Sequence, residues 1–322
     1  MTDITKTINS HIRRLDVHRD LSDAADLIEI CFGSQMDPDG HTYLRNIRRA
    51  AHNGDRLRWL PGPGEQATYP LYGYVWEEDR KIIGNISLIP VLFKGAWRYL
   101  IANVAVHPDH RGRGIGHMLT QRALNHIRAQ NVHLACLQVR KIAPVAHHLY
   151  LAHGFVERAR RTTWVLEPSR ASSLPTSPDV NITGPLPQAW AQQSAWLKEI
   201  YPLEVHWNLL YKHHRLDPRF WQRALNLLNG KDVRYWTACR NGQLTAALYW
   251  EPTRLYADNL WLALDSLDID PEAVYSLLVT ASRDLNKSRP LVINFPEGLA
   301  EESFKSADCK VQSTLIWMEK AL

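Results

Sequence analysis

Between Asn103 and Met118 the chain reads NVAVHPDHRGRGIGHM, where an apolar strand ends at His107-Pro108 and an amphipathic helix opens near Gly114. Arg111, Gly112, Arg113, Gly114, Ile115 and Gly116 stand at the join. Glycine lets a backbone come close to a ligand, and the first turn of a helix carries N–H groups with no partner inside it. Those amides, the positive end of the helix dipole and two guanidinium groups together make an anion site able to hold a pyrophosphate, each charged hydrogen bond being worth about 1.5–3 kcal/mol. The same residues also read as an ordinary glycine-rich helix entry. Two other phosphate cradles are excluded, since there is no GxxxxGK followed by Ser or Thr, and no GxGxxG with an acidic residue about 20 positions later.

The elements that must position this join follow from the periodicity of apolar residues. A short strand is expected near 11–16, helices at 20–32 and 40–52, and strands at 71–77, 81–93 and 98–107. A helix at 114–130, a strand at 133–139, a short helix at 144–152 and strands around 154–166 follow. Residues 167–187, with five prolines and four serines, suit an exposed connector. Beyond it the order repeats, with helices at 188–200 and 217–229, then strands at 233–240, 243–251 and 258–265. A helix at 271–286, a strand at 290–294, a short helix near 298–306 and a strand at 310–318 complete it. The long helices opening near Gly114 and at Pro271 are about 157 positions apart, as are the strands after them. Two copies of one fold is the economical reading, and two unrelated α/β domains is the other. The expected organisation is a first domain at 1–166, a linker at 167–187 and a second domain at 188–322.

Composition narrows the class. The 322 residues are 45% apolar and 22% charged, which supplies two packed cores and excludes a disordered or collagen-like chain. No run approaches the ~18–20 apolar residues that cross a bilayer, and the opening MTDITKTINSHIRR has no apolar stretch after its charges. A cytoplasmic protein with no membrane partner is expected. Cys31, Cys136, Cys239 and Cys309 are far apart and form no CxxC pair, so buried free thiols are expected rather than a metal site or disulfides. The positive excess lies in the first half, with 23 basic against 17 acidic residues up to position 179 and 15 against 16 beyond it. A nucleic-acid partner would rest on that bias and on Arg158, Arg160 and Arg161, but no aromatic-basic interleaving accompanies them.

The join resembles the R/Q-x-x-G-x-G/A signature of the GNAT superfamily of acyl-CoA N-acyltransferases, written here Arg111-Gly112-Arg113-Gly114-Ile115-Gly116 after the V-x-V-x-P of Val104 to Pro108. A second family element, LYxxxGF, follows as Leu149-Tyr150-Leu151-Ala152-His153-Gly154-Phe155. The resemblance covers residues 11–166 directly. It implies an α/β fold of two tandem GNAT-like domains, the second degenerate, each a mixed, mostly antiparallel sheet with a splayed parallel pair at its centre and flanking helices. It implies acetyl-CoA as cosubstrate, and no metal, in the cleft where strands 98–107 and 133–139 part. Backbone groups of Val104, Ala105 and Val106 would pair with the pantetheine arm, and 111–116 would hold the pyrophosphate. One departure is Ala143, which stands where family members often carry an Asn that hydrogen-bonds the cofactor.

The implied reaction is transfer of an acetyl group to a primary amine of a small molecule or peptide, by direct attack in a ternary complex. A backbone N–H near Val104 to Val106 would polarise the thioester carbonyl, with Tyr150 facing the leaving sulfur. A non-catalytic CoA-binding sensor or protein-interaction module is the alternative. Acidic candidates on the acceptor side are Asp37 and Asp39, between the first two helices, and Glu77 and Glu78, at the end of a strand; each also reads as a surface carboxylate. His147, His148 and His153 flank Tyr150, and read equally as faces of a short helix. At the position matching the cradle, the second half reads Leu264-Asp265-Ser266-Leu267-Asp268-Ile269-Asp270-Pro271, with no glycine or arginine, so it is not expected to bind CoA. Those aspartates also suit the start of a helix. Its eight tryptophans, at 190, 196, 207, 221, 236, 250, 261 and 317, are expected in packing.

Overall fold

A computed structural model describes residues 11–53, 72–167, 173–230, 232–285 and 289–322, which fall into two compact units. The first runs to Arg158 and includes Ile316–Leu322; the second is Ala159–Leu315. In the first, β1 (Ile12–Arg14), α1 (Leu21–Phe32) and α2 (Pro38–Asn53) precede β2 (Gly73–Glu78), β3 (Lys81–Phe93) and β4 (Ala96–Val106). Then come α3 (Ile115–Ala129), β5 (Leu134–Arg140) and α4 (Pro144–Ala152). Strands β1 to β4 are antiparallel neighbours in that order, and β5 joins β4 in parallel. The end of β12 (Lys310–Ala321) lies beside β5, burying Ile316 and Met318 in this unit's core.

The parallel pair is short. Tyr99 pairs with Ala135 and Leu100 with Cys136, and beyond them the two strands share no register partners, so the sheet opens towards Val106 and Arg140. Helix α3 covers one face through Ile115, Leu119, Ala123 and Ile127, a stripe at helical spacing. It lies close because β3 has a glycine beneath it: a Cβ on Gly84 would stand 2.9 Å from Ile115 and 3.0 Å from Leu119. Leu21, Ala25 and Ile28 of α1 form a second cluster with Leu44 and Ile47 of α2.

In the second unit, β6 (Val156–Leu166) continues from Ala159 and is followed by β7 (Asn181–Thr183), α5 (Trp190–Ile200), α6 (Phe220–Leu228), β8 (Arg234–Arg240) and β9 (Gln243–Glu251). Next come β10 (Asp258–Leu264), α7 (Pro271–Leu285), β11 (Leu291–Pro296) and α8 (Glu301–Ser306). The strand order is β6-β11-β10-β9-β8-β7, with β7 as an edge strand from the proline-rich stretch. Again one short parallel pair sits at the centre, Asp258 with Leu291 and Asn259 with Val292, while β6 with β11, β10 with β9, β9 with β8 and β8 with β7 pair antiparallel. The architecture is α/β, with a mixed, mostly antiparallel sheet and a parting parallel pair in each unit.

Two expectations are corrected here. Helix α2 begins at Pro38, so Asp39 lies in its first turn rather than in a loop. Trp221 is 78% exposed, although the other seven tryptophans of the second half are buried or half-buried. Helix α6 turns Asn226 inward, where its Nδ2 donates to Arg215 O at 2.7 Å, and so Phe220, Trp221, Leu225, Leu227 and Leu228 point out. All four cysteines are free thiols, Cys136 and Cys309 buried and the other two half-buried. Among the described residues, no helix is long and apolar enough to cross a membrane, and no cluster of His, Cys, Asp or Glu is placed to hold a metal ion.

Arg13 ties β1 to its neighbours, donating to Asp20 at the head of α1 (2.5 and 2.8 Å) and to Glu77 on β2 (2.5 Å). Burial alone would raise the Asp20 pKa, but Arg13 and the Asp16 N–H outweigh it and hold the carboxyl below its ordinary value. A depressed carboxylate stabilises the fold above its unfolded pKa, and the contribution is lost as pH falls through the folded value. Asp20→Asn is therefore expected to cost about 2 kcal/mol at pH 7, measured by urea unfolding, with the difference from wild type shrinking below about pH 4.

Candidate active site

Strand β4 carries the opening through a bulge. Asn85 pairs with Ala105 and Ser87 with Ala102, so β4 spends one residue more than β3 over this stretch. Asn103 lies in the bulge with φ +51°, a left-handed conformation that asparagine tolerates better than most residues. After it, His107 N donates to Ile83 O on β3. Strand alternation then turns the backbone groups of Ala105 to β3 and those of Val104 and Val106 to the opening. The Val106 carbonyl accepts from Arg111 Nε at 3.1 Å and from the Cys31 thiol at 3.3 Å. Burial pushes that thiol's pKa up against the pull of Arg111, so Cys31 is a neutral donor.

Past β4, a 3-10 turn at Pro108–His110 leads into the glycine-rich join. Gly112 and Gly114 have φ +78° and +77°, and a Cβ on either would meet nothing within 4 Å, so backbone conformation and not space calls for glycine here. Gly114 is the N-cap of α3 and offers no side chain to cap it. The first intrahelical bond runs from Met118 N to Gly114 O, which leaves the amides of Ile115, Gly116 and His117 with no partner inside the helix. A Cβ on Gly116 would meet Leu149 of α4 at 3.5 Å, an ordinary packing contact, so space alone does not call for glycine there. Both arginines of the join are exposed, and Arg113 donates to Glu78 at 2.8 Å and contacts His110 at 2.8 Å.

Helix α4 ends in a turn that explains the second motif. Phe155 N donates to Tyr150 O, and Gly154, at φ +78°, supplies the left-handed residue of this closure. The closure brings Phe155 edge-on to the Tyr150 ring, with centroids 5.9 Å apart. Tyr150 is 6% exposed and shares one apolar cluster with Ile115, against which Val104, Val106, Ala143 and Leu149 pack. Burial pushes its phenol pKa well above the ordinary value. Ala143 is the N-cap of α4.

The acidic candidates are engaged elsewhere. Asp37 Oδ1 accepts Gly40 N at 2.7 Å, the bond of a helix cap, and Asp39 sits in the first turn of α2. Glu77 binds Arg13 and Arg19, and Glu78 binds Arg113; these guanidinium groups hold both carboxyls below their ordinary pKa. Of the histidines, His147 Nε2 lies 2.7 Å from Glu157, and His148 donates to Pro144 O. His153 stacks on His117 at 4.4 Å, and burial lowers its pKa. Sequence reasoning missed the polar groups around the bulge, Tyr43, Asn85, Ser87 and Asn103. Their only signal was an asparagine in the middle of an apolar strand.

The sequence profile of the Acetyltransferase (GNAT) domain family matches residues 71–157, from just before β2 to the start of β6. This stretch of the chain is a GNAT domain. A GCN5-related N-acetyltransferase from Sphaerobacter thermophilus is similar over 97% of this chain and 96% of its own, with TM-score 0.55 and 14% identity. A GCN5-related glucosamine N-acetyltransferase region of a fungal multi-domain GH3 β-N-acetylglucosaminidase gives TM-score 0.55 at 12% identity, covering 96% of this chain and 37% of that one. A tandem GNAT protein from the clavulanic acid biosynthesis pathway gives TM-score 0.47 at 14% identity, over 96% and 98% of the two chains. No curated protein matches the sequence. The GNAT fold is that of N-acetyltransferases, which use acetyl-CoA and act on amine acceptors.

The second unit uses the corresponding places differently. Strand β10 runs unbroken against β9 from Asn259 to Leu264, without the bulge of the GNAT domain. The amide of Leu262 donates to the Tyr201 hydroxyl at 3.2 Å, and the Arg161 guanidinium lies 5.1 Å over the Tyr201 ring while donating to Asn294 O on β11 and Ile200 O, both at 2.8 Å. Where the GNAT domain has Gly114, the second unit has Asp270, whose Oδ1 accepts Ala273 N at 3.1 Å and whose other oxygen binds Arg240 at 2.7 Å. Its helix start is filled by its own carboxylate.

Gly114→Asp would copy that arrangement, whereas Gly114→Asn keeps the left-handed backbone without adding charge. In calorimetric titration with acetyl-CoA, the expected order of affinity is wild type, then Asn, then Asp, with Asp at least about tenfold below Asn. Equal affinities would remove the join from cofactor binding.

Proposed function

We propose that the protein is an acetyl-CoA-dependent N-acetyltransferase acting on a primary amine of a small molecule or peptide, with the first unit active and the second a degenerate copy that binds no CoA. The observation that carries this reading is the row of open amides at Ile115, Gly116 and His117, flanked by Arg111 and Arg113, at the mouth of a parting parallel pair. The join from Arg111 to Gly116 would take the pyrophosphate, with Arg113 exchanging Glu78 for phosphate. Val104 and Val106, whose backbone groups face the opening, would meet the pantetheine arm and the acyl carbonyl, with Ala105 between them bonded to β3.

The amine nitrogen attacks the thioester carbonyl, so that a C–N bond forms as the C–S bond breaks. The amine gives up a proton and the departing sulfur gains one. An ordinary thiol has a pKa near 8.5 and a phenol near 10, so moving a proton from a phenol to a free thiolate is already uphill by about 2 kcal/mol. Burial raises the Tyr150 phenol further. Its role is accordingly to donate a hydrogen bond to sulfur as charge develops, with full transfer late. Deprotonating a lysine-like amine of pKa about 10.4 costs roughly 4.6 kcal/mol at pH 7. The depressed carboxyls of Glu77 and Glu78 are poorly suited to that task, and loss of the proton to solvent accounts for it.

The closed second unit supports one active centre per chain. Tyr201 occupies the β10 amide, Arg161 bridges Tyr201 to β11, and Asp270 fills the helix start. Titration with acetyl-CoA should therefore give a stoichiometry of one per chain, and a value of two would overturn the assignment of the second unit. Tyr201→Phe leaves the buried Leu262 amide without an acceptor and should cost about 1–3 kcal/mol of stability. Its acetyl-CoA affinity should be unchanged.

Thiol release from acetyl-CoA over a panel of amines is the direct test of activity. Tyr150→Phe should lower turnover at least about tenfold while acetyl-CoA affinity stays within a few-fold. Equal turnover in the two proteins would take Tyr150 out of the chemistry, and binding without turnover on any amine would favour a CoA sensor.

A further inference from the structure

The bulge of β4 is held by four polar side chains that no motif marks. Asn85 Nδ2 donates to Asn103 O at 2.9 Å and lies 3.4 Å from Ser87 Oγ. Asn103 Nδ2 in turn donates to the Tyr43 hydroxyl on α2 at 3.0 Å and to Ser87 Oγ at 3.3 Å. Asn85 and Ser87 are 1% and 3% exposed, and Asn85 Oδ1 has no donor among the described residues. Buried amides are costly unless fully bonded, so an apolar pair would serve stability better here. The second unit does without them. Its β10 has no bulge, and Ala247 stands opposite Ala263 where the GNAT domain sets Asn85 opposite Ala105.

We propose that Tyr43, Asn85, Ser87 and Asn103 form a positioning network that holds the β4 bulge and thereby aims the Val104 amide at the acyl carbonyl. The proposal rests on the acetyl-transfer reading above and adds to it the residues that set the geometry of carbonyl polarisation. The bulge is what separates the two directions of the strand. Ala102 and Ala105 both register with β3, and the extra residue between them is the reason Val104 faces the opening. Asn85 grips that extra residue through its carbonyl, and Asn103 grips the helix layer through Tyr43. A hydrogen bond to a developing oxyanion depends on donor direction to within fractions of an ångström. Loosening the network should thus reduce polarisation of the carbonyl with little effect on a cofactor whose phosphates are held at the α3 terminus.

The test uses the full chain and two conservative variants. Asn103→Gly keeps the left-handed backbone and removes only the side-chain amide, and Tyr43→Phe removes one hydroxyl; melting temperatures verify that both fold. The first readout is the 13C chemical shift of the carbonyl of bound [1-13C]acetyl-CoA, which reports polarisation without turnover. Wild type should shift it downfield of free acetyl-CoA, and both variants should return it towards the free value. The second is steady-state transfer to an accepted amine, where kcat should fall about tenfold in Asn103→Gly while KM for acetyl-CoA stays within twofold. A shifted wild-type carbonyl with unchanged shift and kcat in both variants overturns the network and leaves the acetyl-transfer reading standing. Failure of the wild-type protein to bind acetyl-CoA overturns that reading and the network with it.

Discussion

Three backbone amides at the start of one helix have no partner inside that helix, and the glycines and the short parallel pairing of the first unit lie around them. A helix start normally closes on a side chain of its own, as the second unit does with Asp270. In the GNAT domain the corresponding residue is Gly114, which turns the chain through a left-handed conformation and contributes no acceptor. The consequences spread outward. Gly84 lets α3 lie against the sheet, and the brief β4–β5 pairing lets the two strands part. A helix start that lacks a side-chain cap is, in general, one suited to an anion.

The two units make the same frame serve opposite ends. Each has a two-residue parallel pair followed by a long helix, and in each the strand edge beyond the pair exposes amides that need partners. The second unit satisfies them internally with a tyrosine hydroxyl and an aspartate cap. In the first unit the helix-start amides have no such side-chain cap. An interior saturated with its own bonds gains stability and has little left to bind with; unsatisfied groups at a partly open edge lose stability and acquire affinity.

Much of this was legible from the residues. Strands such as 81–93 and helices such as 144–152 appear where apolar periodicity put them, because local patterning and tertiary burial agree there. The glycines and arginines of the join were legible because few other residue types tolerate that backbone or draw anions. The bulge was not, because it is a mismatch between two strands and exists only once Asn85 and Ser87 have found their partners on β4. The outward apolar face of α6 was equally hidden, since FWQRALNLL reads as an amphipathic helix with its leucines inside. What reverses it is a bond from Asn226 to the carbonyl of Arg215, outside the helix. The ion pairs of the carboxylates were hidden for a related reason, as only the folded chain brings Arg13, Arg19 and Arg113 to Glu77 and Glu78.

The segment Ile316–Leu322 belongs to the first unit, where Ile316 and Met318 are buried and Glu319 lies 3.6 Å from Arg98 and 3.5 Å from Arg158. A ribosome that has finished β5 must therefore add well over a hundred further residues before the strand that covers it is made. Until then the β5 edge has no partner from β12, the kind of surface on which neighbouring chains adhere. A chain cut within residues 167–187 would lack the segment that buries Ile316 and Met318 in the first unit's core.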